Sequence, residues 1–247
     1  MTAGESRVRP AFYALDAGGW RDYVSLLHPP YTAWHLAYVA VGAAVASPTI
    51  APGRLLPTLA AFFLAVGIAA HALDELNGRP LRTRISARTL AWLAGGSLGG
   101  AVAIGVYGAL AVSAWIALFV VAGAVVAVAY NLELLGGTFH GDVQFALAWG
   151  SFPVLTGAFA SAERISIAVV LAAGFAFLTT LAQRRLSTQV RHVRRRVASV
   201  AGVLEHRDGA SEPITTATLI EAEERALRLL AASHVVLATA LVIMRTV

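Results

Sequence analysis

The sequence predicts an all-α fold, a polytopic helical membrane bundle of about seven transmembrane helices, and three observations predict it. The 247-residue chain is 57% hydrophobic and 13% charged, with a mean hydropathy of +0.69, whereas a soluble globular domain carries roughly 25% charged residues. Charge-free stretches run from Tyr23 to Gly53, Leu55 to Leu73, Thr89 to Leu132, Val143 to Ala162, Ile165 to Gln183 and Leu229 to Met244, and a helix needs about 20 apolar residues to cross the hydrocarbon. The arginines, finally, are concentrated in alternate connections.

Taken in order, residues 1–32 read as a cytoplasmic or interfacial lead-in. Arg7, Arg9, Arg21, Glu5, Asp16 and Asp22 interrupt any apolar core there, so no cleavable signal is expected. Trp20, Tyr23 and Tyr31 suit the headgroup level. Residues 33–183 read as a six-span helical core without an internal repeat or domain boundary. Spans are expected at roughly 33–50, 55–74, 89–107, 110–130, 143–160 and 165–183, the long Thr89 to Leu132 run folding back near Tyr107 and Gly108. Gly95, Gly96, Gly99, Gly100 and Gly105 are expected to let helices approach closely. Residues 184–225 form a basic cytoplasmic segment, broken by Gly209 and Pro213. A new helix then begins near Thr216 or Thr218, with Glu221, Glu223 and Glu224 favourably placed at the positive end of its dipole, and 226–247 supplies the terminal transmembrane helix.

Arg79, Arg82, Arg84 and Arg88 follow the second span, and Arg184, Arg185, Arg191, Arg194, Arg195, Arg196 and Arg207 follow the sixth. The opposite connections carry only Arg54 and Arg164. Positive loops stay inside, so the chain is expected in the cell membrane as a multi-pass protein with a cytoplasmic amino terminus. The net charge of +5 is then chiefly topological, with an attraction to membrane lipid or a phosphorylated substrate. No nucleic-acid motif appears, so nucleic acid is not an expected partner. The absence of cysteine excludes disulfides, thiolate catalysis and thiolate-bound metals.

The candidate site lies where the second span meets water. His71, Asp74 and Glu75 stand at i, i+3 and i+4, on one face of a helix, and are costly to desolvate without a partner, a cation or a water-filled cavity. His140 and Asp142, between the fourth and fifth spans, complete a set of N and O donors, with His35 as a further member. Two accounts stand side by side: a salt-bridged topological cluster with Arg79, Arg82 or Arg84, and a metal site whose neighbouring arginines hold an anionic ligand. The Arg184 to Arg196 run likewise reads as a positive-inside anchor or as a clamp for phosphate oxygens.

Gly78-Arg-Pro-Leu-Arg-Thr-Arg-Ile-Ser-Ala-Arg-Thr-Leu90 resembles the loop after the first aspartate motif of the UbiA-type intramembrane prenyltransferases, with Asp74 and Glu75 where that motif ends. Tyr130-Asn131 and Ala148-Trp-Gly-Ser-Phe-Pro153-Val-Leu-Thr-Gly157-Ala158 are similar to the family's fourth and fifth helices, and Leu27-His-Pro-Pro30 to the approach to its first. The resemblance spans roughly residues 25–183. It implies a helical bundle around a bilayer-facing cavity in which Mg²⁺ holds the diphosphate of an isoprenoid donor whose prenyl group passes to a lipid-like acceptor. On that expectation His71, Asp74 and Tyr130 are catalytic. Asn77, Arg79, Arg82, Asn131, Arg184 and Arg185 bind substrate, and His71, Asp74, Glu75, His140 and Asp142 hold metal. The family's second aspartate motif falls at Leu181 to Arg191, which carries arginines and no acid. Two other readings stay open: a membrane hydrolase, cyclase or oxidase using Fe or Zn, and a bundle that binds a lipid or partner without catalysis.

Overall fold

The computed structural model describes residues 9–138 and 140–246, and 71% of the chain is helical. A short helix α1 (Trp20–Leu26) leads into α2 (Pro29–Ala46), whose first two positions are prolines, tolerated there because the first N–H groups of a helix have no partner. Helix α3 (Pro52–Leu76) widens into π geometry over Phe63–Ala70 before returning to α geometry at His71. Helix α4 (Ala87–Ala111) is capped by Ser86, whose hydroxyl accepts from the Thr89 amide at 3.0 Å, an arrangement that stabilises a helix by about 1 kcal/mol. After α5 (Ile116–Asn131), α6 (Asp142–Ala162) contains a second π stretch, Leu147–Ser151. Helix α7 (Ile167–Arg196) is followed by a hairpin of β1 (Val203–Glu205) and β2 (Ser211–Pro213), then α8 (Glu221–Thr246).

Among the described residues five helices, α3, α4, α6, α7 and α8, are long and apolar enough to cross a membrane. Helix α5 is apolar but shorter. The fold-back between α4 and α5 lies at 112–115, past the glycine at 108 where it was expected, because helical pairing continues until the Val112 and Ser113 amides share the Gly108 carbonyl. Helix α7 does not stop at 183 either. Its 30 residues extend about 45 Å at 1.5 Å per residue, against a hydrocarbon thickness of about 30 Å, so the arginine-bearing turns carry the same helix onward.

Of the glycines expected to pack helices together, Gly100 and Gly105 do so and three do not. A Cβ on Gly95, Gly96 or Gly99 would meet nothing, whereas Gly42 of α2 sits against the Val154 carbonyl of α6 and Gly157 of α6 against the Val39 carbonyl of α2. This reciprocal contact lets the two backbones touch and anchors a core of Val39, Ala43, Val154 and Ala158, all fully buried. Gly105 does fill an expected role, against Val120 of α5. Helices α7 and α8 close the bundle around Tyr38, whose hydroxyl bonds with those of Thr179 at 2.7 Å and Thr180 at 3.1 Å, satisfying a polar group that would otherwise be costly among apolar neighbours.

Candidate functional site

The bundle holds a polar cavity of about 520 Å³ where α3 and α5 end and α6 begins. Helix α3 contributes His71 and Asp74, α5 contributes Tyr130 and Asn131, α6 Phe145 and Trp149, and α7 Arg184, Arg191, Arg195 and Arg196. Residues 10–13 of the amino-terminal segment form a further wall. Both π stretches border this space. Wider turns displace the backbone at points where a helix interior would otherwise be regular, and such turns recur at functional sites.

Four histidines face the cavity. His71 Nδ1–H donates to the Gly67 carbonyl at 3.1 Å and His35 Nδ1–H to that of Trp149 at 2.8 Å, which leaves each Nε2 as the lone-pair nitrogen when the ring is neutral. His140 stacks on Tyr130, ring centroids 4.4 Å apart, and its Nδ1–H points to the Tyr130 carbonyl at 3.3 Å. His28 lies 3.9 Å from His71, ring to ring, with Tyr13 on its other side at 5.0 Å. It occupies a left-handed backbone conformation, φ 45°, uncommon for a side chain of this size and a form of strain that gathers at ligand sites. Burial, and then the neighbouring His71, hold the His28 imidazole well below its usual pKa, so it is neutral at pH 7. The His28 ring is half-buried and borders the cavity. Burial likewise pushes the Tyr13 phenol well above its usual range and keeps it protonated.

Four guanidinium groups and two carboxylates, Asp74 and Glu133, share the wall. Arg184 is already committed: Nε to Asp142 Oδ1 at 3.2 Å, Nη1 to the Tyr130 hydroxyl at 3.0 Å, and the whole group over Phe145 at 4.8 Å. Arg191 bonds only to neutral hydroxyls, Ser187 and Thr188, each at 2.9 Å. Arg195 donates Nε to the Pro10 carbonyl at 3.4 Å. Neither has a carboxylate partner among the described residues, and among them the Asp74 carboxylate has no hydrogen bond or ion pair. A cavity with spare guanidinium charge attracts anions.

The residues expected to form the site divide accordingly. His71, Asp74, Asn77, Tyr130, Asn131, His140 and Arg184 border the cavity, as does His35. Glu75 does not: fully buried, it accepts from the Leu81 amide at 2.9 Å and from the amide and hydroxyl of Thr83 at 2.8 and 2.9 Å, binding the following loop back to α3. One residue advances a helix by about 100°, enough to turn Glu75 away from the face that His71 and Asp74 share. Arg79 is spent on the same loop, donating to the Ile85 carbonyl at 2.6 Å, and Arg82 is exposed. Asp142 pairs with Arg184 and, at 3.5 Å, with the exposed Arg185. Asn77 and Asn131 spend their amides on backbone carbonyls, Asn131 and Ala127 respectively.

Five His and carboxylate side chains expected as one ligand set are thus split between wall and loop. Among the described residues no three His, Asp or Glu side chains form a metal-binding group. Mg²⁺ commonly keeps several waters and is held by one or two carboxylates together with phosphate oxygens, so it does not require a closed set of protein ligands.

Sequence reasoning missed Tyr13 and His28 as cavity residues, and it did not single out Arg191 and Arg195 within the Arg184 to Arg196 run read as an anchor or a phosphate clamp. The arginines had a signal: 184, 191 and 195 are separated by seven and four residues, the spacing of one helix face. His28 and Tyr13 had none, since their meeting with His71 depends on how the amino-terminal segment folds back.

A second, apolar cavity of about 150 Å³ lies between α3, α4, α5 and α6. Val66 and Trp149 belong to both walls, so the polar and apolar spaces adjoin. No protein-family model, curated protein or solved structure matches the chain.

Proposed function

We propose that the protein is a UbiA-like membrane enzyme of seven spans that transfers a prenyl group from an isoprenoid diphosphate to a lipid-like acceptor, with the amino terminus and the polar cavity on the cytoplasmic side. One observation carries this reading: a cavity with spare arginine charge adjoins an apolar one across Val66 and Trp149. A diphosphate head suits the first and a prenyl tail the second. The arginine-rich ends of alternate connections support the orientation.

In this reading Arg191 and Arg195 meet the diphosphate oxygens, and their charge stabilises the electron pair that leaves with diphosphate as the prenyl carbon–oxygen bond breaks. The acceptor bonds to that carbon, and its proton passes to Asp74 or to His71 Nε2. Arg184 acts as a positioning residue, fixing Tyr130 and the start of α6. Mg²⁺, which would supply further charge neutralisation on the diphosphate, would have Asp74 and Glu133 as the carboxylates of this wall, alongside the arginines.

The test uses purified protein in lipid nanodiscs with labelled farnesyl diphosphate and a membrane-lipid extract as acceptor source. Label is expected in a lipid product, and Asp74→Asn should lower the rate by about 10²-fold, the usual scale for a lost general base, without weakening diphosphate binding. Unchanged transfer in Asp74→Asn would refute the role of Asp74, and a protein that does not bind the diphosphate would refute the reading itself. The four imidazoles favour one second reading, hydrolysis of the same substrate, which would yield free prenol in place of a lipid product.

A further inference from the structure

Resting on the anion site proposed above, we infer that residues 9–19 are a strap that closes over the cavity and is latched by an arginine the ligand also uses. The strap has three parts. At its far end, Gly18 and Gly19 have φ of 130° and 62°, and a Cβ on Gly19 would touch nothing. Such backbone is open to glycine and strained for other residues, which suits a hinge. Beside the hinge, the Gly18 amide donates to Asp22 Oδ1 at 3.0 Å and the Leu15 amide to Ser25 Oγ at 2.9 Å, so this end is tied to α1.

The middle is a plug. Phe12 packs among Val190, Val193 and Leu227 beneath the Arg228 guanidinium, 5.1 Å above its ring, and Tyr13 stands against Tyr31 and His28. Phe12 and Tyr13 both form part of the cavity wall. No helix or strand secures residues 9–19; side-chain packing, one turn bond from the Ala14 amide to the Ala11 carbonyl and the hydrogen bonds at either end hold the plug in place.

The end at Arg9 and Pro10 is the latch. Arg194 Nη1 donates to the Arg9 carbonyl at 3.2 Å while the rest of its guanidinium is occupied by Glu224, with Nη2 to Oε2 at 2.9 Å. Arg194 is therefore a fixed post. Arg195 differs: Nε holds the Pro10 carbonyl, and its two terminal nitrogens have no partner among the described residues although the side chain borders the cavity. A guanidinium has five N–H donors in a rigid fork. One Arg195 can hold the strap with Nε and an anion with the Nη groups at the same time, so the ligand that orders Arg195 also holds the strap shut. Binding and closure are then coupled, and coupling between sites is reciprocal.

The experiment measures hydrogen exchange of amides 11–19, together with calorimetric binding, on the full-length protein in nanodiscs with inorganic pyrophosphate as the probe. Saturating pyrophosphate is expected to slow exchange in 11–19. Arg195→Ala should abolish that slowing and weaken pyrophosphate by about tenfold, within the usual range of such couplings, while Arg191 retains residual binding. Phe12→Ala, which touches no anion-binding group, should speed exchange in the free protein and shorten the lifetime of the complex. Pyrophosphate binding with unchanged exchange in 11–19, or equal slowing in Arg195→Ala, would overturn the strap and leave the proposed function standing. Failure of the wild-type protein to bind pyrophosphate would overturn both.

Discussion

The loop joining α3 to α4 and the cavity wall lie on two sides of one helical turn, and they treat charge in opposite ways. At the loop the buried charges are answered: Glu75, at the end of α3, accepts three hydrogen bonds and Arg79 donates to two carbonyls, while Arg82 and Arg84 are exposed. On the wall Asp74, Arg191 and Arg195 are left without ionic partners among the described residues. Buried polar groups are kept where they are satisfied, because an orphaned one costs about 1–3 kcal/mol. On the proposed function, saturated charge holds the fold and unsaturated charge facing the cavity receives the ligand.

The sharpest way to break this contrast is at Glu75. Glu75→Ala strands two amides and a hydroxyl in a fully buried place and should cost about 3 kcal/mol or more, read as a large loss of thermal or denaturant stability. Asp74→Ala, one residue away, should change stability by less than about 0.5 kcal/mol, the range of substitutions outside such networks. Equal losses would erase the distinction.

Gly157→Ala tests the packing that carries the site. A methyl group there runs into the Val39 carbonyl, and overpacking of this kind costs about 1–3 kcal/mol. Gly96→Ala, which meets nothing, should be neutral or slightly stabilising, since alanine is about 1 kcal/mol better than glycine in a helix. Melting temperatures of the two variants give the comparison directly.

The smallest expected effect is on pH dependence. His28 has its folded-state pKa depressed, so between that value and its unfolded value of about 6.5 the unfolded chain binds more protons than the native one. The stability contribution is present above about pH 6.5 and is lost as pH falls toward the folded pKa. His28→Gln should flatten the acid side of the stability profile, and a profile unchanged by this substitution would count against a buried neutral imidazole.

Much of the helical layout was legible in the sequence because uncharged runs of span length leave few alternatives. What those runs do not encode is rotation about each helix axis. His71, Asp74 and Glu75 appear as one face on a helical wheel, yet Glu75 turns to the loop because Leu81 and Thr83 come back to meet it. The glycines show the same gap: those at 95, 96 and 99 look like a packing stripe but face open space, and those at 42 and 157, isolated in sequence, make the close contact. His28 and Tyr13 were invisible as site residues because only the course of the amino-terminal segment brings them beside His71. The helix face bearing Arg184, Arg191 and Arg195, by contrast, was available from spacing alone.

The account rests on a cavity with unanswered arginine charge beside an apolar space, and paired affinity measurements test it most directly. Inorganic pyrophosphate and farnesyl diphosphate are compared by calorimetry on the wild-type protein and Arg191→Ala in nanodiscs. The account predicts that both ligands bind, that the prenyl tail tightens binding at least tenfold, and that Arg191→Ala weakens both by about the 1.5–3 kcal/mol of a charged hydrogen bond. Absence of binding, a tail that adds nothing, or affinity indifferent to Arg191→Ala would contradict it.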